Sequence, residues 1–291
     1  MTDRQPVLVI DSCSDLTAAI VDGLDVAELH FPFMLAGEGR IDDFGRTLPH
    51  RSLFAAMREG DHPSTAQVPL ADMEALFRTH AEAGRTVIYL GFSSGLSGTF
   101  ESAHLARAAV LADHPAADIR LVDTLSASVI EGLLVHAAAR KLAEGATADE
   151  LVAWVERERL RANGLFTLEN LESLRRGGRI SDVAAAAGTM LDIKPILTMN
   201  GEGKLVIKKS LRGRKKSLSA LVDMVAEHVN GDTPRVLAIG HADVPEDAER
   251  VRQAVEERLS PDEVLMLEVG PVIGAHVGPG MVAVAFFGAE R

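Results

Sequence analysis

The chain has 291 residues, of which 47% are hydrophobic and 25% charged, and its formal net charge at pH 7 is −12. A length about twice that of a common domain predicts two domains, and the ordinary composition excludes a disordered or fibrous protein. The negative charge and the aromatic content of 4% argue against nucleic-acid binding, which depends on cationic and aromatic side chains.

Cysteine usage and hydropathy bear on the cellular compartment. Cys13 is the only cysteine, so an internal disulfide and a zinc site built from several cysteines are both excluded. The first residues are polar, and no uninterrupted run of about 18 apolar residues occurs. We therefore expect a cytoplasmic protein without an integral membrane segment.

The first half of the chain alternates short apolar runs with helical patterns. Strand patterns occur at residues 7–10, 26–33, 86–90 and 119–122. Helical patterns occur at residues 52–58, 70–83, 101–111, 128–142 and 147–161. Residues 35–48 are polar and rich in glycine, which indicates a loop or a small hairpin. The alternation predicts an α/β domain with a mostly parallel sheet and helices on both faces.

The pattern changes at residue 165. Further strand patterns occur at residues 194–199, 204–210, 235–239, 264–269 and 281–287. Residues 166–175 indicate a short strand that leads into a helix, and helical patterns occur at residues 181–191, 217–229 and 246–259. Because strands now follow one another closely, we expect an α+β domain with a mainly antiparallel sheet. The predicted domains are residues 1–164 and 165–291.

Residues 91–100, with the sequence GFSSGLSGTF, form the most distinctive segment of the chain. They lie between a predicted strand and a predicted helix and contain three glycines and four hydroxyl residues. A loop that enters a helix in this way points backbone N–H groups and the positive helix end outward, which suits a carboxylate or a phosphate. The alternative is that Ser97 or Thr99 only caps the helix.

Two other polar segments are candidates for the same site. Asp11, Ser12 and Ser14 follow the first predicted strand, and the carboxyl ends of parallel strands line the ligand crevice in open α/β sheets. These side chains face the same space as residues 91–100, or they only cap a helix. Thr65 and Gln67, in an irregular turn, are further candidate polar contacts.

The second half contributes basic residues. Arg179 follows Gly177 and Gly178 at a junction between helices, where a guanidinium reaches either a carbonyl or an anion. His276 stands in the glycine-dense residues 270–280; it is either structural or, since glycine lets a ligand approach closely, part of a site. Its ordinary pKa would make it cationic near neutral pH. Residues 204–216 carry seven basic side chains and no acid, a positive patch or a solvated face.

A serine hydrolase is the alternative function. Residues 91–95 satisfy the Gly-x-Ser-x-Gly pattern, and Ser93, Asp123 and His276 occur in the order found in esterases. The five-residue pattern is common by chance, however, and an HGGG-type oxyanion segment is absent from the sequence.

Several segments together match one known family. They are residues 10–16 (IDSCSDL), 93–100 (SSGLSGTF), 177–181 (GGRIS), 193–197 (IKPIL) and 274–280 (GAHVGPG). In this set and order the chain resembles the DegV family of bacterial fatty-acid-binding proteins. The resemblance implies a two-domain protein that holds one long-chain fatty acid between its domains and presents the carboxylate to a separate fatty acid kinase. That kinase makes acyl phosphate for phospholipid metabolism, so the chain itself is expected to be a carrier without catalytic residues, cofactor or metal.

The resemblance also implies roles for particular residues. The carboxylate contacts fall on Thr65 and Ser97, with Ser94 nearby, and the basic residues around the head group are Arg179 and His276. Additional loop contacts are expected from Asp11, Ser12, Ser93, Gly95 and Gly98. The chain departs from the family pattern at Cys13, where threonine is usual, and at Ala66 and Val68 beside Thr65.

Overall fold

The structure is a computed structural model that describes residues 6–180, 192–229 and 236–291. Its strands are β1 (Val7–Asp11), β2 (Val26–Leu29), β3 (Pro32–Leu35), β4 (Glu38–Ile41), β5 (Ser64–Thr65), β6 (Val87–Gly91), β7 (Ile119–Asp123), β8 (Ala162–Thr167), β9 (Ile193–Met199), β10 (Leu205–Arg212), β11 (Val236–His241), β12 (Glu263–Glu268) and β13 (Val282–Phe287). Its helices are α1 (Ala18–Val21), α2 (His50–Arg58), α3 (Leu70–Glu82), α4 (Thr99–Asp113), α5 (Ser128–Ala143), α6 (Ala148–Glu158), α7 (Glu172–Arg176), α8 (Arg214–His228), α9 (Pro245–Leu259) and α10 (Pro271–Val277). The helix predicted at residues 181–191 lies outside the described residues.

The first sheet has four parallel strands in the order β2-β1-β6-β7. The two central strands read VLVID and VIYLG, and all five residues of each are buried. Continuous apolar sequence of this kind is typical of parallel strands that are covered on both faces. The predicted mostly parallel sheet is therefore confirmed.

A second, three-stranded sheet holds β4, β3 and β5 in that order. The single strand predicted at residues 26–33 is wrong, because the chain leaves the parallel sheet after Leu29. The Phe31 amide donates to the Ser12 hydroxyl at 3.1 Å, and Pro32 has no amide hydrogen to donate. Residues 35–48 contain the predicted hairpin, since β3 and β4 pair in antiparallel fashion.

The third sheet has six strands in the order β10-β9-β8-β13-β11-β12. Its neighbours pair in antiparallel fashion except β11 and β12, which are parallel and are connected by α9. The predicted mainly antiparallel sheet is confirmed. The predicted boundary between residues 164 and 165 falls inside β8.

The basic residues of 204–216 are divided between two elements. The helix predicted from Ser217 begins earlier, at Arg214, so Arg214, Lys215 and Lys216 form its first turn. The remaining four lie on or beside β10, the edge strand of the six-stranded sheet. Charged side chains on an edge strand also discourage pairing with other chains.

Helix α5 connects the first and third sheets. It contacts β8, β11 and β13 as well as the short 3-10 turn Ser12–Ser14, and 11 of its 16 residues are buried. Gly132 permits this approach, because a Cβ atom there would lie 2.4 Å from the carbonyl oxygen of Ser14. The apolar core is consequently continuous from β1 to β13, and the start of α5 borders a cavity.

Candidate functional site

A cavity of about 340 Å³ lies where the loop after β6, the start of α5, β8 and α10 meet. Most of the residues around it are apolar. They are Phe31, Ala66, Phe92, Leu96, Ala127, Val129, Ile130, Leu165, Phe166, Leu174, Met199, Leu205, Val272, Ile273, Val277, Met281 and Ala283. Its volume falls within the range of small-molecule sites, and such walls favour a hydrocarbon ligand over water.

A few polar side chains also border the cavity. They are Thr65, Gln67, Ser97, Ser128, Arg179 and His276. Four of them, Thr65, Ser97, Arg179 and His276, are residues that the sequence predicts at a carboxylate site. The structure brings these four together from segments that lie far apart in the chain.

Thr65 and His276 form the closest contact in this group. Thr65 Oγ1, on β5, lies 2.9 Å from His276 Nε2, on α10. Helix α10 lies within residues 270–280, to which the sequence analysis assigned no element, and Gly177 is a close neighbour of His276. A Cβ atom at Gly177 would lie 2.2 Å from His276 Nδ1, so only glycine leaves room for the imidazole.

The electrostatic state of His276 differs from the expectation. Burial, aided by the positive charge of Arg179, lowers the pKa of His276 to about 4. The expectation that this side chain can become cationic near neutral pH is therefore wrong. Neutral imidazole keeps one N–H donor and one acceptor nitrogen, which suits a hydrogen-bonding role.

Arg179 links two loops at the edge of the cavity. Its Nε donates to the Leu96 carbonyl at 3.2 Å, and its Nη1 donates to the Gly177 carbonyl at 2.5 Å. Of the two roles that its position in the sequence allows, the structure shows the one in which it binds carbonyls. The same guanidinium borders the cavity, so it lies where an anion would contact it.

Ser97 stands at the start of α4. Its Oγ accepts a hydrogen bond from the Thr99 amide at 3.2 Å and lies 3.0 Å from the Thr99 hydroxyl oxygen. The residue therefore supports the first turn of the helix, as in the capping alternative, and also borders the cavity. The hydrogen bond to Thr99 agrees with the capping alternative, and a role of Ser97 in carboxylate binding stays a prediction.

The other residues predicted in this loop lie away from the cavity walls. Ser94 is exposed, and its amide donates to Asp123 at 3.2 Å. Ser93 is buried; its hydroxyl donates to the Gly203 carbonyl at 2.8 Å and accepts from the Gly95 amide at 3.2 Å. Gly98 packs against Gln67. These residues shape the loop because their polar atoms bond to other protein groups.

Asp11 and Ser12 also support the loop and do not border the cavity. The Asp11 carboxylate accepts hydrogen bonds from the Cys13 amide, the Tyr89 hydroxyl and the Phe92 amide, at 2.8 to 3.1 Å. Burial raises the pKa of Asp11 to about 6, against the opposing effect of these three hydrogen bonds. Its position after β1 is as predicted, but it anchors the strand ends to one another.

The three residues of the hydrolase alternative bond to other groups. The Ser93 hydroxyl donates to Gly203, and His276 Nε2 lies beside Thr65. Asp123 Oδ1 accepts from the amides of Ser94 and Leu125. The described residues therefore contain no Ser93-His276-Asp123 relay, which nucleophilic catalysis requires.

The described residues offer neither a metal site nor a membrane span. No group of three or more His, Cys, Asp or Glu side chains within residues 6–180, 192–229 and 236–291 is arranged to hold a metal ion. Nor is any helix in those ranges long and apolar enough to cross a bilayer.

The sequence analysis missed Ser128 at the cavity wall. Its φ of 56° is left-handed, which is uncommon outside glycine, and its hydroxyl donates to Asp15 Oδ2 at 2.5 Å. No local pattern marks such a residue, because its importance comes from a partner 113 positions away.

The structure is an α/β protein with an apolar cavity that hydroxyl, imidazole and guanidinium groups also border. The family model described as "Uncharacterised protein, DegV family" matches residues 7–289. A DegV domain-containing protein of Clostridium perfringens is 37% identical over 282 residues, which cover 97% of each chain. This chain belongs to the DegV family.

Solved structures agree with this assignment. The chain is similar to a DegV family protein from Thermus thermophilus, described by its fatty acid binding, with 30% identity, a TM-score of 0.84 and coverage of 98% and 100% of the two chains. It is also similar to a fatty acid binding DegV family protein from Streptococcus agalactiae, with 28% identity, a TM-score of 0.84 and coverage of 98% and 99%.

Proposed function

We propose that this protein binds one long-chain fatty acid in the cavity and presents its carboxylate to a separate fatty acid kinase. The observation that carries the proposal is an apolar cavity bordered by Thr65, Ser97, Arg179 and His276. The descriptions of the Thermus and Streptococcus relatives as fatty acid binding support it. In this view the chain is a carrier and the partner supplies the chemistry.

The ends of a fatty acid match the two kinds of surface in the cavity. The apolar walls accept the acyl chain, and burial of roughly fifteen methylene groups is worth at most about 12 kcal/mol. Association costs of about 4 to 15 kcal/mol oppose this gain, so tight binding needs a cavity that exists before the ligand arrives. Hydroxyl and guanidinium donors then orient the carboxylate through charge-assisted hydrogen bonds.

Both proposed domains contribute to the carboxylate site. Thr65 and Ser97 belong to residues 1–164, whereas Arg179 and His276 belong to residues 165–291. We propose that the ligand lies between the two domains.

Native mass spectrometry of freshly purified protein tests the binding. We expect a mass increase of one fatty acid per chain, because a buried acyl chain dissociates slowly. Delipidated protein should take up palmitate or oleate with the same stoichiometry. Protein that has only the ligand-free mass, and that takes up neither acid, would contradict the proposal.

A reconstituted reaction tests whether the protein presents the carboxylate to the kinase. Fatty acid kinase, ATP and the loaded protein should yield acyl phosphate, and omission of the protein should abolish the product. A serine-directed fluorophosphonate probe provides a control for the hydrolase alternative, since a carrier should remain unlabelled.

A further inference from the structure

The cavity extends from the polar side chains of the proposed carboxylate site to the first turn of α5. The head-group end of the cavity consists of Thr65, Ser97, Arg179 and His276. Val129 and Ile130, in the first turn of α5, border the same cavity. Their distance from the head-group end decides whether they contact the carboxylate or the other end of an acyl chain.

Contacts at the start of α10 place the first turn of α5 away from the head-group end. Asp15 accepts hydrogen bonds from the Ser128 hydroxyl at 2.5 Å and from the amide of Gly270, the N-cap of α10, at 2.9 Å. The start of α5 therefore lies beside the start of α10. His276 is near the other end of that helix, about 9 Å along its axis at roughly 1.5 Å per residue.

The register of β8 against β13 indicates the same direction. Val282, which closely follows the end of α10, pairs with Thr167, whereas Ala285 pairs with Gly164. Gly164 borders the cavity and is therefore about 10 Å further from the end of α10, at roughly 3.3 Å per residue. The far wall of the cavity, opposite the head-group end, consists of Val129, Ile130 and Gly164.

Ile130 lies directly on the backbone of Gly164. A Cβ atom at Gly164 would lie 2.4 Å from Ile130 Cγ1 and 2.5 Å from Ile130 Cδ1, whereas carbon atoms normally pack at roughly 3.5 to 4.0 Å. Val129 lies on Gly240 of β11 in the same way, since a Cβ atom there would be 2.2 Å from Val129 Cγ1. Both glycines therefore let the side chains of α5 approach the sheet closely.

A side chain at residue 164 would displace Ile130. The isoleucine is only 4% exposed and belongs to the apolar core, where close packing leaves little room for movement. The cavity is the adjoining free space, so the displaced side chain would move into it. The depth of the cavity consequently depends on how closely Ile130 approaches Gly164.

We propose that the contact between Ile130 and Gly164 sets the longest acyl chain that the cavity accepts. This inference rests on the proposed function, with the carboxylate at the head-group end. Each further methylene group that reaches apolar walls raises the affinity about fourfold. A chain that is too long has to displace packed side chains, which is unfavourable. Ile130 is thus a specificity-determining residue, and Gly164 is a positioning residue that acts through it.

Two substitutions should change the far wall in opposite directions. Ile130→Ala removes most of the side chain and deepens the cavity. Gly164→Ala adds a methyl group that moves Ile130 into the cavity and makes it shallower. Leu133→Ala is the matched control, because Leu133 is fully buried on the same helix and lies outside the cavity walls.

Each delipidated protein is mixed with equimolar myristate, palmitate, stearate and arachidate, and native mass spectrometry gives the bound amount of each acid. The measured quantity is the ratio of the two longer to the two shorter acids. Relative to the parent, Ile130→Ala should raise this ratio at least fourfold, and Gly164→Ala should lower it at least fourfold. Gly164→Ala/Ile130→Ala should give an intermediate ratio, and Leu133→Ala should match the parent.

A parent-like ratio in Ile130→Ala would overturn the proposal, and this variant alone decides it if Gly164→Ala does not fold. Ile130→Val takes its place if Ile130→Ala does not fold. An equal shift in Leu133→Ala would also overturn the proposal, since general loosening of the core would then explain the change. A parent protein that binds none of the four acids contradicts the proposed function and this inference together, whereas unchanged ratios in proteins that bind the acids overturn the inference alone.

Discussion

Thr65 Oγ1 and His276 Nε2 lie 2.9 Å apart, although 211 positions separate the two residues in the chain. The contact joins β5 to α10 in the wall of the cavity, so the proposed carboxylate site needs both parts of the fold to be assembled. An arriving carboxylate would replace part of this contact, because the Thr65 hydroxyl has a single proton to donate.

Removal of either cavity hydroxyl should weaken binding. A hydrogen bond to a charged group is worth about 1.5 to 3 kcal/mol, so Thr65→Ala and Ser97→Ala should each raise the Kd roughly 10- to 150-fold in a lipid-exchange titration. Ser94→Ala is the control from the same loop, since Ser94 is exposed. Parent-like affinity in both cavity variants would show that the carboxylate binds elsewhere.

Gly177→Ala should disturb the head group without contacting the ligand. The new Cβ atom would lie 2.2 Å from His276 Nδ1, so the imidazole has to move away from Thr65. We expect weaker fatty-acid binding, with at least a tenfold rise in Kd by the same titration. In Gly39→Ala the nearest atom to the new Cβ is Met34 Sδ at 3.7 Å, an ordinary contact, and this control should bind like the parent. Equal affinity in the two variants would contradict the assigned role of His276.

The parallel sheet was predictable because buried parallel strands leave long apolar runs, as in β1 and β6. The break between β2 and β3 was not predictable from residues 26–33, which are mostly apolar on both sides of it. It depends on the Ser12 hydroxyl, which accepts the Phe31 amide from 19 positions away. An apolar pattern in the sequence indicates that a segment is buried, but it does not indicate which distant residues that segment contacts.

The same limit of sequence-based prediction applies to the candidate site. Thr65, Ser97, Arg179 and His276 carry polar groups in unusual local settings, and the family resemblance selected them. Ser93, Ser94 and Asp11 look equally suitable in sequence, but their bonds to Gly203, Asp123 and Tyr89 place them in supporting roles. Which hydroxyl faces a cavity depends on the direction of each side chain in the assembled fold.

His276 should make the stability of delipidated protein depend on pH. Its pKa is about 4 when folded, below the ordinary value of 6.5, so the unfolded chain binds a proton first as the pH falls. The stabilisation is present above about pH 6.5 and is lost as the pH falls through 4. Denaturant titrations should show that the parent loses up to about 3 kcal/mol more than His276→Gln between pH 7 and 4. Parallel curves for the two proteins would rule out a buried neutral imidazole.

Binding the fatty acid and phosphorylating it place different electrostatic demands on the site. Conversion of a carboxylate to an acyl phosphate adds negative charge. A planar guanidinium stabilises this charge because it donates hydrogen bonds to two oxygens at once. Arg179→Ala and His276→Ala should therefore lower acyl phosphate formation with the kinase at least tenfold, beyond any loss of bound fatty acid.

Lys215 and Lys216 lie in the first turn of α8, outside the walls of the cavity. A Lys215→Glu/Lys216→Glu variant should keep its fatty acid but react more slowly with the kinase if these lysines steer an acidic partner surface, and the defect should shrink as salt is added.

Melting temperature, retained fatty acid and acyl phosphate are measured for all three variants. If Arg179 only ties the Gly177 turn to the loop after β6, its replacement lowers stability and retention together. The prediction fails if turnover is unchanged in all three variants, or if it falls only in proportion to the fatty acid retained.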